Sequence, residues 1–195
     1  MVFAKAPRLG QVKTRLAADI GAEAALDFYR RCLTALIQEL GSPGRDWRLR
    51  IAVTPDDALG DSIWSGAAER CPQGEGDLGE RMLRYLTGAR PEAPVLIVGS
   101  DLPDLTAGHI ERALHALANH DLVIGPSPDG GYWLIGAGRS PPAILFETVR
   151  WSTPHALEDT LRNATGMTVA LADTLADIDD GASFREFMAR AGSQP

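Results

Sequence analysis

The sequence predicts an α/β fold: a three-layer α/β/α sandwich around a Rossmann-like, mostly parallel sheet with one antiparallel strand. Three observations carry this expectation. Val95-Leu96-Ile97-Val98 is an apolar run with three β-branched residues that passes directly into Gly99-Ser100-Asp101, the pattern of a strand buried on both faces. Strand-like runs of this kind alternate with segments of helical periodicity, as in a parallel sheet with crossover helices. Finally, Asp121 to Gly125 and Tyr132 to Gly136 are joined by a short Gly-containing turn, which permits a hairpin and hence the antiparallel strand.

Composition narrows the class. The chain has 195 residues, enough for a full core, and is read as a single domain, 1–195. It is 45% hydrophobic and 23% charged, ordinary for a globular protein. The net charge of −7 argues against general affinity for nucleic acid or anionic membrane. Cys32 and Cys71 lie far apart without metal-ligand spacing, so free thiols and a reducing, cytoplasmic setting are expected. No apolar run approaches a transmembrane length, and the first residues lack the h-region of a signal peptide.

The elements follow in order. Met1 to Lys5 is a first strand, and Pro7 and Gly10 mark a loop before the helical segment that starts at Leu16-Ala17-Ala18. This loop carries Lys5, Arg8, Lys13 and Arg15 before any acidic residue, and Lys5 and Lys13 are the only lysines in the chain. A basic loop between a strand end and a helix start favours anions, so a phosphate-binding role is expected. It is not a P-loop, because the Gly-x-x-x-x-Gly-Lys-Ser/Thr spacing is missing.

Gly21 to Leu40 is a long helix, with Ala25, Phe28, Tyr29, Cys32, Leu33, Leu36, Ile37 and Leu40 recurring at three and four. Trp47 to Thr54 is a second strand, and Ser62 to Glu69 a short helix. Gly74 to Gly79 contains a literal Gly-x-Gly-x-x-Gly, but Arg70-Cys71-Pro72-Gln73 does not read as a buried strand, so a dinucleotide fingerprint is rejected. A Gly-rich loop leading into a helix from Leu78 to Thr87 remains. Arg81 in its first turn opposes the helix dipole, which hints at an anionic partner.

Asp101 lies at the carboxyl end of the central strand, where open α/β sheets bind ligands. From that stretch alone it is either a cap for the next helix or a ligand for a hard divalent cation. Thr106 to Asn119 is that next helix, and its His109 and His115 are read as surface residues. Pro141 to Phe146 is a short helix. Thr153 is expected to cap, and Pro154 to open, a helix running to Asn163. Met167 to Leu171 is the last strand, followed by Asp177, Asp179 and Asp180 and a helix from Ala182 to Ala191. These aspartates are either caps or a second carboxylate for the cation.

Five stretches match one pattern in order: Phe3-Ala4-Lys5-Ala6-Pro7 with Gly10 and Val12-Lys13-Thr14-Arg15-Leu16; Gly76-Asp77-Leu78-Gly79-Glu80-Arg81-Met82; Gly99-Ser100-Asp101-Leu102-Pro103-Asp104-Leu105; Pro126 with Asp129-Gly130-Gly131-Tyr132-Trp133-Leu134-Ile135-Gly136; and Trp151-Ser152-Thr153. Together they resemble the glycosyltransferase-A-like family of uncharacterised bacterial transferases, also called the radical-SAM/selenodomain-associated transferase 1 family, within the nucleotide-diphospho-sugar transferase superfamily. The resemblance covers nearly the whole chain.

Nucleotidyltransferases such as phospholactate and molybdopterin guanylyltransferases are similar by motif. The resemblance implies the GT-A fold and a metal-dependent transferase that uses a nucleotide or nucleotide-sugar and a small acceptor. Lys13, Arg15 and Asp101 would be catalytic. Lys5, Gly10, Lys13, Arg15, Gln73, Gly76, Asp77, Leu78 and Arg81 would contact the nucleotide. Asp129, Gly130, Gly131, Tyr132, Trp151, Ser152 and Thr153 would line the acceptor side. Asp101 and Asp179 would hold Mg²⁺ or Mn²⁺, with Asp177 as the alternative second ligand; Asp180-Gly181-Ala182 departs from the family's Thr-Pro-Glu at that place. Glycosyl and nucleotidyl transfer both remain open, and a nucleotide-binding regulatory module without turnover is the non-enzymatic alternative.

Overall fold

The computed structural model describes residues 1–64 and 69–191. A seven-stranded sheet forms the centre. Its strands are β1 (Val2–Lys5), β2 (Arg50–Thr54), β3 (Glu69–Pro72), β4 (Val95–Val98), β5 (Leu122–Pro126), β6 (Tyr132–Ala137) and β7 (Val169–Leu171). Their order across the sheet is β3-β2-β1-β4-β6-β5-β7, and β6 alone runs antiparallel to its two neighbours. The expected strand reversal at the Tyr132 segment is therefore present.

Among the described residues six α-helices accompany the sheet: α1 (Thr14–Ile20), α2 (Ala22–Leu40), α3 (Leu78–Leu86), α4 (Ala107–Ala116), α5 (Ala156–Asn163) and α6 (Gly181–Ala191). Strand alternation sends Leu96, Val98, Val123 and Leu134 to a core shared with Leu33 and Leu36 of α2 and Ile110 of α4. Ile97, Leu122, Ile124 and Ile135 go to the other face, against Met82 and Leu86 of α3 and Ala156 of α5. A third cluster joins Leu16, Phe28 and Ile178, with Phe184 and Phe187 of α6 packed against it.

Three expectations are corrected. Of the helix expected over Ser62 to Glu69, Ser62–Trp64 is a 3-10 turn, 65–68 lie outside the described residues, and Glu69 opens β3. β3 escapes periodicity because it is an edge strand, largely exposed, and Pro72 closes it where no ladder donor is needed. Helix α5 starts at Ala156, because Thr153 spends its hydroxyl on the Arg150 carbonyl at 2.7 Å and shapes a turn before the helix. His109 is half-buried: its Nδ1 accepts the Thr106 N–H at 3.1 Å, and its ring meets Trp133 edge-on.

Candidate active site

The order of strands changes direction between β1 and β4, and the loops that follow these two strands splay apart at that point, the usual place for a ligand in an open α/β sheet. The basic loop follows β1 and Asp101 follows β4. Segment 172–180 leaves β7 and crosses the ends of its neighbours: Leu175 N–H bonds the Pro126 carbonyl at 3.2 Å, and Trp133 Nε1 donates to the Asp173 carbonyl at 2.8 Å. Ile178 is fully buried against Leu16 and Phe28. In an extended segment its two neighbours face the other way, so Asp177 and Asp179 are delivered together toward Asp101. The three carboxylates offer ligand atoms within 4.8 Å of one another, and all three residues are half-buried.

Lys13 reaches into this cluster. Its side chain is only 4% exposed, and its ammonium pairs with Asp101 and with Asp179 Oδ1 at 2.7 Å. Burial opposes its charge, but Asp101 and Asp179 outweigh burial and raise its pKa above the ordinary lysine range. Lys13 sits at φ 48°, one of three non-glycine residues with positive φ among the described residues. Ser152, at φ 58°, is another and also lines the cleft. Two left-handed, non-glycine residues at one cleft mark a backbone held by its surroundings against a local cost. Arg15 is 70% exposed and lies 3.9 Å from Asp179. Burial, then Asp179 and Asp101, push Asp177 up to about 6. Its carboxylate takes no hydrogen bond or ion pair among the described residues. Asp180 is separate from the cluster: it accepts the N–H groups of Ala182 and Ser183 and caps α6.

Two hollows meet at the cluster. The wider, about 580 Å³, is walled by Lys5, Gln11, Lys13, Thr14, Arg15, Gln73, Asp101 and Asp179. The narrower, about 210 Å³, is walled by Leu78, Met82, Asp129, Gly131, Tyr132, Trp151, Ser152, Thr153 and Asp177. Phe3, Leu78 and Ser152 line both. The basic loop and the Asp129 turn thus share one edge of the sheet, as expected from the strand directions.

Several candidate residues have structural work instead of a place in either wall. Asp77 forms a reciprocal capping box with Glu80 at the start of α3. Arg81 Nε donates to the Gly76 carbonyl at 2.8 Å, so the cation that opposes the dipole closes the glycine loop. Gly10 and Gly76 take positive φ in their loops, and Gly130, at φ 85°, lies where a Cβ would strike Pro154. Gln73 does both: it lines the wide hollow and braces the sheet, its side-chain amide donating to the carbonyls of Ala4 and Ala52. Sequence reasoning missed Tyr29 and Ser100. Tyr29 reads as one more apolar helical position, yet its hydroxyl bonds Ser100 at 2.9 Å and both backbone groups of Lys5, beneath the wide hollow.

Residues 37–153, more than half of the chain, match the family described as an uncharacterized protein conserved in bacteria, DUF2064. The chain belongs to this family. The matched residues include Asp101, the glycine loop and the Asp129, Tyr132 and Trp151 wall of the narrow hollow; Lys13, Asp177 and Asp179 lie outside them. Among solved structures, the chain is similar to a provisionally named nucleotide-diphospho-sugar transferase from Desulfovibrio desulfuricans G20, at 29% identity and a TM-score of 0.85 over 99% of this chain and 86% of that one. The fold is shared with a 4-diphosphocytidyl-2C-methyl-D-erythritol synthase from Anaerococcus prevotii DSM 20548, at 10% identity and a TM-score of 0.54 over 83% and 86%. It is shared too with Rv0371c of Mycobacterium tuberculosis H37Rv in complex with manganese, at 13% identity and a TM-score of 0.52 over 96% of both chains. No curated protein matches the chain. These neighbours show the nucleotide-diphospho-sugar transferase fold. No helix among the described residues is long and apolar enough to cross a membrane.

Proposed function

We propose that the protein transfers a group from an activated nucleotide to a small acceptor, with Mg²⁺ or Mn²⁺ held by Asp101, Asp179 and Asp177. The observation that carries this reading is the meeting of three carboxylates within 4.8 Å at the end of β4 and beyond β7, beside the lysine of the basic loop. Three oxygen donors of this kind suit a hard cation. Such an ion, when bound, neutralises charge on phosphate oxygens and on the leaving group.

The chain's own residues divide the work. Lys13, now paired with two carboxylates, exchanges one of them for a phosphate oxygen, and Arg15 adds a second charge-assisted donor from the exposed rim. Lys5 and Gln73 stand on the same wall, where the nucleotide lies. Asp129, Tyr132, Trp151, Ser152 and Thr153 hold the acceptor. In glycosyl transfer the acceptor hydroxyl oxygen bonds the anomeric carbon. The bond from that carbon to the diphosphate oxygen breaks, its electron pair leaves with the nucleoside diphosphate, and the hydroxyl proton passes to Asp129. In nucleotidyl transfer, which the basic loop favours as a second reading, the acceptor hydroxyl oxygen bonds the α-phosphorus of a triphosphate, the bond from that phosphorus to the oxygen bridging to the β-phosphate breaks, its electron pair leaves with pyrophosphate, and the hydroxyl proton passes to Asp129.

A melting-temperature screen of nucleoside triphosphates and nucleotide-sugars, with and without Mn²⁺, tests the reading. A ligand at 100 times its dissociation constant adds about 2.7 kcal/mol of stability. Stabilisation that needs both nucleotide and Mn²⁺ and disappears in Asp101→Asn is the expected result. Release of pyrophosphate or of nucleoside diphosphate then separates the two chemistries. Nucleotide binding that ignores Mn²⁺ and survives Asp101→Asn would overturn the reading, and binding without either product would favour a regulatory module.

A further inference from the structure

We infer that the acceptor is a hydroxyl compound with an apolar body, such as a carbocyclic ring, and not a polyhydroxylated sugar; this rests on the transfer reading and names the acceptor class within it. The narrow hollow extends the apolar core on the α3 side of the sheet. Met82 of α3, Ile97 of β4, Ile135 of β6 and Ala156 of α5 line it and also belong to that buried cluster. Its aromatic wall is braced in place. The Trp151 ring meets Phe146 at 5.8 Å and Tyr132 at 6.3 Å, and Gly79 leaves room for it against α3. A wall fixed in this way need not be ordered when a ligand enters. The space is about 210 Å³. An apolar cavity of about 150 Å³ holds benzene, so a ring with one substituent fits.

Few polar side chains in the hollow are left to a ligand. The Thr153 hydroxyl donates to the Arg150 carbonyl at 2.7 Å and accepts the His155 N–H at 3.3 Å. The Tyr132 hydroxyl pairs with Thr160 Oγ1 at 3.4 Å, and Trp133 Nε1 donates to the Asp173 carbonyl at 2.8 Å. Asp177 goes to the ion. Among the described residues this leaves the Ser127 and Ser152 hydroxyls, Asp129 Oδ2 and the Trp151 indole N–H with capacity to spare. Ser127, Asp129 and Ser152 lie on loops beyond the strands, as Asp101 and Asp177 do, whereas Met82, Ile97, Ile135 and Ala156 lie on the sheet and its helices. One hydroxyl can therefore be met at the loops, beside the ion, while the body that carries it covers apolar side chains and gains by leaving water. A sugar brings a hydroxyl on nearly every ring carbon, each with one donor and two lone pairs. Those turned toward Met82, Ile97 and Ile135 give up water and receive nothing, a loss of about fivefold or more in affinity apiece. This preference uses no charge in the hollow and holds with the divalent ion on Asp177.

Cyclohexanol and myo-inositol share one carbon ring and differ only in their hydroxyls, so the pair tests the inference. Each is titrated in Mg²⁺ without nucleotide and followed by the methyl resonances of Met82, Ile97 and Ile135. Cyclohexanol should move these methyls and bind about tenfold or more tighter than myo-inositol, with a negative heat-capacity change. The same order should hold in chelator, because the wall is uncharged. Met82→Gln, close to methionine in size, should weaken cyclohexanol about threefold or more, with the melting temperature read alongside. If that variant does not fold, the order of the two probes on the wild type decides alone. Myo-inositol binding as tightly as cyclohexanol, or cyclohexanol leaving these methyls unmoved, would overturn the inference. Because nucleotide is absent, a failure of Mn²⁺-dependent nucleotide binding sinks the transfer reading alone and leaves the hollow's preference for an apolar body standing.

Discussion

Replacing Lys13 by Met keeps the apolar stem and deletes the charge between Asp101 and Asp179. Loss of one partner from a fully buried pair costs about 3–5 kcal/mol, and from an exposed pair about 0–1 kcal/mol. Here the lysine is 4% exposed but Asp101 is 25% and Asp179 44% exposed, so water reaches the orphaned oxygens. The loss should fall between these limits, about 2–3 kcal/mol. For a chain of this length that lowers the melting temperature by about 4–12 °C in chelator. Mn²⁺ at 100 times its dissociation constant returns about 2.7 kcal/mol, most of the deficit. The variant should also bind Mn²⁺ more tightly than the wild type, since no ammonium competes for the carboxylates. Its affinity for a nucleoside triphosphate should fall about tenfold or more, the worth of one charge-assisted hydrogen bond. Calorimetric titration and melting scans in chelator and in Mn²⁺ measure all three. An unchanged melting temperature in chelator together with weaker Mn²⁺ binding would refute the reasoning.

Asp177→Asn should weaken Mn²⁺ binding less than Asp101→Asn does, because Asp101 and Asp179 remain on the phosphate side; equal losses, read by titration, would make Asp177 an equal ligand. Gly79→Ala should destabilise by about 1–3 kcal/mol, the scale of overpacking, although alanine in a helix ordinarily gains about 1 kcal/mol. The added Cβ would lie 2.6 Å from Phe146 Cβ and 3.0 Å from Trp151 Cζ2, and urea unfolding that shows stabilisation would exclude this clash. Burial pushes the Tyr29 hydroxyl up to about 12 from its ordinary 10. The unfolded chain ionises first, so this contribution to stability is complete below pH 10 and is lost as pH rises through 12, by about 3 kcal/mol. Tyr29→Phe should flatten that stretch of the stability curve, and parallel wild-type and variant curves between pH 10 and 12 would rule it out.

The sequence by itself determined the parts whose causes are local. The run Val95 to Val98 became a central strand because four consecutive apolar residues can be satisfied only by burial on both faces. Helix α2 follows its three-and-four periodicity, and the Asp129-Gly130-Gly131 turn reverses the chain into the antiparallel β6. The fold class and the candidacy of Asp101 were legible in this way; Asp179 was singled out only by the family resemblance, since the residues alone left Asp177, Asp179 and Asp180 open. Tertiary structure alone decided the rest. Strand β3 has no apolar face to announce it and exists because β2 offers it an edge. Tyr29 looked like core until its hydroxyl found Ser100, 71 residues away. Gly79 is small because Phe146 and Trp151 arrive from elsewhere in the chain. The deepest case is Lys13, which read as a phosphate donor and is paired in the structure with Asp101 and with Asp179, 166 residues distant. Propensity and periodicity act over a few residues. A charge finds its partner only when buried neighbours such as Ile178 have set both backbones in place, so the pairing belongs to the packed molecule.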